Sequence, residues 1–104
     1  MQILDASQDG EHKVQVGIPF RIELDEIPTS GYRWHVESTP ELAQRLEDAY
    51  QPHADSAVGG GGKRSFVMQI DHPRIHTLVF RLHQPWADPS SAVKKHIMII
   101  NPQP

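Results

Sequence analysis

"KVQVGIPFRIEL", residues 13 to 24, alternates with a period of two. Val14, Val16, Ile18, Phe20, Ile22 and Leu24 fall on even positions, with Gln15, Arg21 and Glu23 between them. Successive strand side chains point to opposite faces, so this set buries one face and wets the other. Gly17 and Pro19 interrupt the run. Proline cannot donate to a central ladder, which predicts two strands here, or one that bends and changes sheet near Gly17. The alternation returns downstream, as Tyr32, Trp34 and Val36 in "YRWHVE" and as Phe66, Met68 and Ile70 in "KRSFVMQI". "HTLVFRL" carries Leu78, Phe80 and Leu82, and "AVKKHIMII" reads as a last strand. Six or seven short strands separated by Pro, Gly, Asp and Ser clusters indicate an all-β chain, an antiparallel sandwich or barrel.

One segment reads differently. "PELAQRLEDA", residues 40 to 49, has leucines four apart at Leu42 and Leu46 and a proline suited to a first turn. It is the one helix-like piece, and a strand with irregular flanks fits it as well. The tail "NPQP" is expected to fray.

The totals bound the function. A chain of 104 residues fits one domain, residues 1–104. A net charge of −3 and a pI near 6.1 give no electrostatic footprint for nucleic acid. The longest apolar run, Ile97-Met98-Ile99-Ile100, is too short to span a membrane. MQILDASQDG has no basic region followed by an apolar core, as expected of a cytoplasmic protein or of the mature form of an exported one. There is no cysteine, which removes disulfides, thiolate metal sites and a cysteine nucleophile.

Seven histidines invite a metal or a hydrolytic site. His72 and His76, four apart on a strand, would lie about 13 Å from each other, too far to share a zinc. His35, His83 and His96 are flanked by strand residues and are expected to face solvent. Neither H-E-x-x-H nor G-x-S-x-G occurs. No cofactor, metal or catalytic residue is expected, and the chain reads as a non-enzyme.

Three connections are unlike ordinary turns. In "EIPTSGYRW", residues 26 to 34, Pro28 fixes its own φ, Thr29 and Ser30 can bond back to nearby backbone, and Gly31 permits positive φ. A stiff loop loses little entropy when a partner grips it; the same residues also suit a plain turn into an aromatic strand. "VGGGGKRSF", residues 58 to 66, reads as a linker, as a long hairpin connection, or as backbone that approaches another surface closely. "HQPWADPSS", residues 83 to 91, sets Trp86 among loop residues, either as a plug closing the core or as an exposed anchor. Trp34, mid-strand, is expected in the core.

The order PTSGY, then GGGG with Phe66 four residues after the last glycine, then Pro85-Trp86, resembles the chagasin family of cysteine-protease inhibitors. That family's signature is N-P-T-T-G-Y/F, G-x-G-G and R-P-W/F. "VGIPFRIELDEIPTSGYRW" and "FRLHQPWADPSSAVKKHIMI" are similar to its first strand pair and its closing hairpin, and residues 38–57 match least. The resemblance implies an immunoglobulin-like β-sandwich of about seven or eight strands without a disulfide. It implies a monomer whose three loops enter the active-site cleft of a papain-like cysteine peptidase, reversibly and without covalent chemistry. Thr29 would lie nearest the catalytic cysteine, with Pro28, Ser30, Gly31 and Tyr32 shaping that loop. Gly59, Gly60, Gly61 and Gly62 would run along one side of the cleft. Trp86, with Gln84 and Pro85, would pack on the other. Ile27 stands where the family has asparagine, and Gln84 where it has arginine. From the residues alone, a sandwich that binds peptide or carbohydrate without inhibiting anything is the competing reading.

Overall fold

Eight strands form in the computed structural model, which describes residues 1–8, 10–37, 43–53 and 61–104. They are β1 (Gln2–Asp5), β2 (Gly10–Gln15), β3 (Phe20–Glu26), β4 (Arg33–Glu37), β5 (Ala43–Pro52), β6 (Gly62–Ile70), β7 (His76–His83) and β8 (Lys94–Gln103). Short 3-10 turns occupy Pro28–Ser30 and Pro89–Ser91. One sheet has the order β1-β3-β6-β5 and the other β2-β8-β7-β4. The expected immunoglobulin-like sandwich is therefore what forms.

The opening run does change sheet. β2 ends at Gln15 in one sheet and β3 begins at Phe20 in the other. Gly17 makes the crossing at φ +76°, a region that costs glycine little. The crossing is anchored by the Val16 N–H, which donates to the Gln103 carbonyl at 2.9 Å, and by the Gly17 N–H, which donates to the Ile70 carbonyl at 2.9 Å. Four strand pairs, β3–β6, β5–β6, β4–β7 and β7–β8, are antiparallel, but β1 joins β3 and β2 joins β8 in parallel. Each parallel strand forms one edge of its sheet, and nothing in the sequence pattern marks β1, since only four residues pair and Ile3 stays exposed.

Most of the even-numbered apolar strand residues meet between the sheets, but Ile18, expected among them, lies where the chain crosses between sheets and is 58% exposed. Phe20, Ile22 and Leu24 of β3 and Phe66, Met68 and Ile70 of β6 face Leu78 and Phe80 of β7 and Met98 and Ile100 of β8. Phe66 and Phe80 pack with ring centroids 5.8 Å apart. Trp34 closes the core from β4 as expected and is 3% exposed. Burial of this kind stabilises by roughly 1.5–3 kcal/mol for each large side chain.

Three expectations need correction. Of the two readings of residues 40–49 the strand holds and the helix does not: residues 43–52 form β5, whose pairing with β6 from Ala43↔Ile70 to Pro52↔Gly62 overrides a weak local preference. A bulge between Arg45 and Glu47 turns Leu46 outward, and Leu42 lies outside the described residues. The tail does not fray through its length. Asn101, Pro102 and Gln103 pair with Lys13, Val14 and Gln15, and Pro102 is buried. β7 pairs with β8 only as far as Ile100, so the missing N–H of Pro102 faces no β7 partner. His35, His83 and His96, thirdly, are not open to solvent. His83 is buried and stacks on His35 at 3.9 Å, and half-buried His96 stacks on Trp34 at 5.2 Å.

The strand directions place the loops. β3 ends at Glu26 opposite Gly62, where β6 begins and β5 ends. β4 begins at Arg33 opposite His83, where β7 ends. The connections 27–32, 53–61 and 84–93 thus leave from one end of the sandwich. Met1 and Pro104 lie at the other, since Gln2 pairs beside Phe20 and Gln103 beside Gln15.

Candidate functional site

The loop between β3 and β4 is braced from within. Its backbone turns through the Ser30 N–H, which donates to the Ile27 carbonyl at 3.1 Å. The Ser30 hydroxyl donates to that same carbonyl at 2.6 Å and accepts from the Tyr32 N–H at 3.2 Å. Ser30 therefore supplies the internal hydrogen bonding that Ile27 cannot. Gly31 takes φ +82° with open space around its Cα, so conformation and not crowding selects glycine. Thr29 sits exposed in the turn.

In the glycine loop, Gly59 and Gly60 lie outside the described residues. Gly61 ends the loop beside β3, where an added Cβ would lie 3.4 Å from the Glu26 carbonyl oxygen and 3.5 Å from Ile27 Cγ1. The Gly61 carbonyl accepts from the His53 N–H at 3.3 Å. Gly62 is buried within β6, where a Cβ would stand 2.5 Å from the Tyr50 hydroxyl and 2.7 Å from Pro52 Cα. Its glycine answers to packing below the surface.

The third connection presents Trp86 at 76% exposure, so it is no core plug. Around it the backbone is held locally. The Ala87 N–H donates to the Gln84 carbonyl at 2.9 Å, and the His83 ring meets the same carbonyl at 2.8 Å. Asp88 caps the second 3-10 turn by accepting from the Ser90 N–H at 2.8 Å, which holds its carboxyl below the usual range. The Val93 N–H closes the loop onto the Leu82 carbonyl at 2.9 Å.

Gly31, Tyr32, Pro85 and Trp86 line a cleft of about 270 Å³ whose floor is Glu26, Arg33 and Arg64. A larger cleft of about 480 Å³ joins Ile27, Ser30 and Tyr32 to Gly61 and Val93. The structure thus brings together Ser30, Gly31, Tyr32, Gly61, Pro85 and Trp86, with Pro28, Thr29 and Gln84 carried on the same two loops.

Beneath the loops lies an ion cluster that sequence reasoning missed. Glu26 is buried, accepts from the Trp34 N–H at 2.8 Å, and is gripped by Arg64 through Nη2 at 2.8 Å and Nε at 3.1 Å. Arg64 also reaches Asp48 at 3.1 Å, as does Arg33 at 3.0 Å. Burial works against the Arg64 charge, but the bonds and charges of Glu26 and Asp48 outweigh it and hold the guanidinium protonated. Arg64 also lies over the Tyr50 ring at 5.5 Å. The cluster joins β3, β4, β5 and β6 where the loops depart. One signal existed: Glu26 and Arg64 continue the inward parity of Leu24 and Phe66, which places a charge on each buried face.

A sequence profile described as "Chagasin family peptidase inhibitor I42" matches residues 13–100. The chain belongs to the chagasin family of peptidase inhibitors. It is an inhibitor and not an enzyme. Among the described residues no three His, Asp or Glu side chains gather as metal ligands. Chagasin of Trypanosoma cruzi is 29% identical over 82 residues, 74% of each chain. The chagasin-like sandwich recurs in solved structures. The cysteine protease inhibitor EhICP2 of Entamoeba histolytica superposes with a TM-score of 0.83 at 18% identity, covering 98% of this chain and 95% of that one. Amebosin gives 0.69 at 22% identity, with 98% and 97% covered. PbICP-C, solved in complex with falcipain-2, gives 0.66 at 16% identity, with 99% and 100% covered.

Proposed function

We propose that residues 1–104 act as one unit that inhibits papain-like cysteine peptidases by reversible occlusion of the active-site cleft. The carrying observation is Trp86, exposed at 76% on the same end of the sandwich as the Pro28–Tyr32 loop and sharing a cleft with it. A soluble domain keeps so large an apolar side chain in water at a cost, and burial against a partner recovers it. The complex of PbICP-C with falcipain-2 supports a peptidase as that partner.

Each loop has a physical task. Pro28, Thr29, Ser30, Gly31 and Tyr32 form the central ridge, with Thr29 entering towards the catalytic cysteine. Ser30 holds the ridge before the partner arrives, which lowers the entropic cost of docking. Gly59, Gly60 and Gly61 bring backbone close to one wall, and Gly62 sets the base of that loop. Gln84, Pro85 and Trp86 pack on the opposite wall. With no cysteine in the chain, no mixed disulfide traps the enzyme. The ridge resists cleavage because its peptide bonds are held out of attack geometry, and a rigid loop does not relax into it.

Titration of active papain with the protein tests this. Activity falls to a plateau near one equivalent and returns on dilution or gel filtration. Full activity of papain and of other cathepsin-like peptidases at micromolar protein refutes the proposal.

A further inference from the structure

The geometry points to Arg33 as a specificity-determining contact that takes a side-chain carboxylate on the rim of the target peptidase's cleft, next to the Trp86 pocket. This inference rests on the inhibitory reading above and assigns the chemistry of one partner group. Arg33 lines the cleft of about 270 Å³ that Tyr32, Pro85 and Trp86 enclose. Its side chain is 44% exposed, whereas Arg64 behind it is 11% exposed and held by Glu26 and Asp48. Arg33 is thus the member of the pair that a partner can reach.

Charge bookkeeping within the cluster favours an anion. Three guanidiniums, Arg33, Arg45 and Arg64, share two carboxylates, Glu26 and Asp48. Arg45 contributes weakly, at 4.0 Å from Asp48 and 54% exposed. Asp48 is divided among all three, and Glu26 is already satisfied by Arg64 and by the Trp34 N–H. Among the described residues of the cluster one positive charge remains in excess, shared by the two exposed guanidiniums, Arg33 and Arg45, and of these Arg33 is the one that lines the cleft with Trp86. A guanidinium has five N–H donors in a planar fork, and Asp48 engages Nη2. The remaining edge suits a carboxylate. Asp48 also fixes the arginine in place, so little rotamer freedom is lost on pairing. An indole and a guanidinium side by side, one exposed at 76%, are the residue types that dominate interface energetics.

The test is association of Arg33→Gln, Arg33→Lys and Trp86→Ala variants with papain and other papain-like peptidases, at 50 and 500 mM NaCl. For peptidases that the wild type binds in a salt-sensitive way, Arg33→Gln slows association about tenfold at low salt, and the deficit shrinks at high salt. Arg33→Lys restores most of the rate, because it keeps the charge. Thermal midpoints of both variants, measured alongside, separate lost recognition from lost folding. If Arg33→Gln matches the wild type in rate and salt dependence on every peptidase inhibited, while Trp86→Ala fails, the Arg33 assignment is wrong and the inhibitory reading stands. If the wild type inhibits none of them, both fall together.

Discussion

Removing the indole of Trp86 is the sharpest perturbation available. A tryptophan buries roughly 150–250 Å² when fully enclosed. Here Trp86 is 76% exposed in the free inhibitor, so docking can newly enclose about 150 Å². At about 25 cal/mol per Å² that is about 4 kcal/mol, of which the Cβ left in Trp86→Ala retains a part. About 3 kcal/mol of lost affinity corresponds to a rise in Ki of about two orders of magnitude. The same exposure means that the native fold loses little: a surface truncation of this sort changes stability within about 0.5 kcal/mol. The assay is a tight-binding titration of papain paired with thermal unfolding of the free variant. A Ki within threefold of wild type, or a midpoint lowered by more than about 5 °C, refutes the reasoning. The first outcome denies the anchor, and the second makes the indole a structural plug.

Three further outcomes follow from the site. Ser30→Ala removes both side-chain hydrogen bonds of the ridge, leaving the backbone bond to the Ile27 carbonyl, and raises Ki about tenfold with little change in melting, whereas Ser30→Thr keeps the hydroxyl and stays near wild type; equal Ki for all three would show that the brace is idle. Glu26→Ala leaves Arg64 buried without its main partner and costs about 3–5 kcal/mol in urea unfolding, and Glu26→Gln costs less because it still accepts from Trp34. Burial holds His35 and His76 below the ordinary histidine range, with His83 and Arg33 adding to the effect at His35. The unfolded chain therefore takes up these protons first as pH falls from about 7 towards 5, so stability is full above that window and declines within it. Thermal midpoints at pH 7.5 and 5.5 check the sign, and a higher midpoint at pH 5.5 contradicts it.

Much of the architecture was legible because period-two alternation is a local signal that the sheets obey. Val14, Phe20, Ile22, Leu24, Trp34, Phe66, Leu78 and Phe80 are all in the core that their parity predicts. What parity does not carry is pairing. Residues 40–49 fit a helix or a strand in isolation, and β6 alongside residues 43–52 decides for the strand. Asn101–Gln103 look like a loose end until β2 is placed beside them. The site divides the same way. The tips of the loops were visible as unusual composition, but the cluster of Glu26, Arg33, Asp48 and Arg64 was not, because its members are spread over four strands. His83 and His35 were misjudged because strand alternation says which face a ring is on, not whether another ring covers it.

The opposed placement of chain ends and loops has a practical consequence. A label, a surface tether or a second inhibitor fused at Met1 or Pro104 hangs from the pole remote from Thr29 and Trp86. Tandem copies joined tail to head by a flexible spacer would each keep an unobstructed working end. Such a fusion would gain avidity on clustered peptidases with no redesign of the loops.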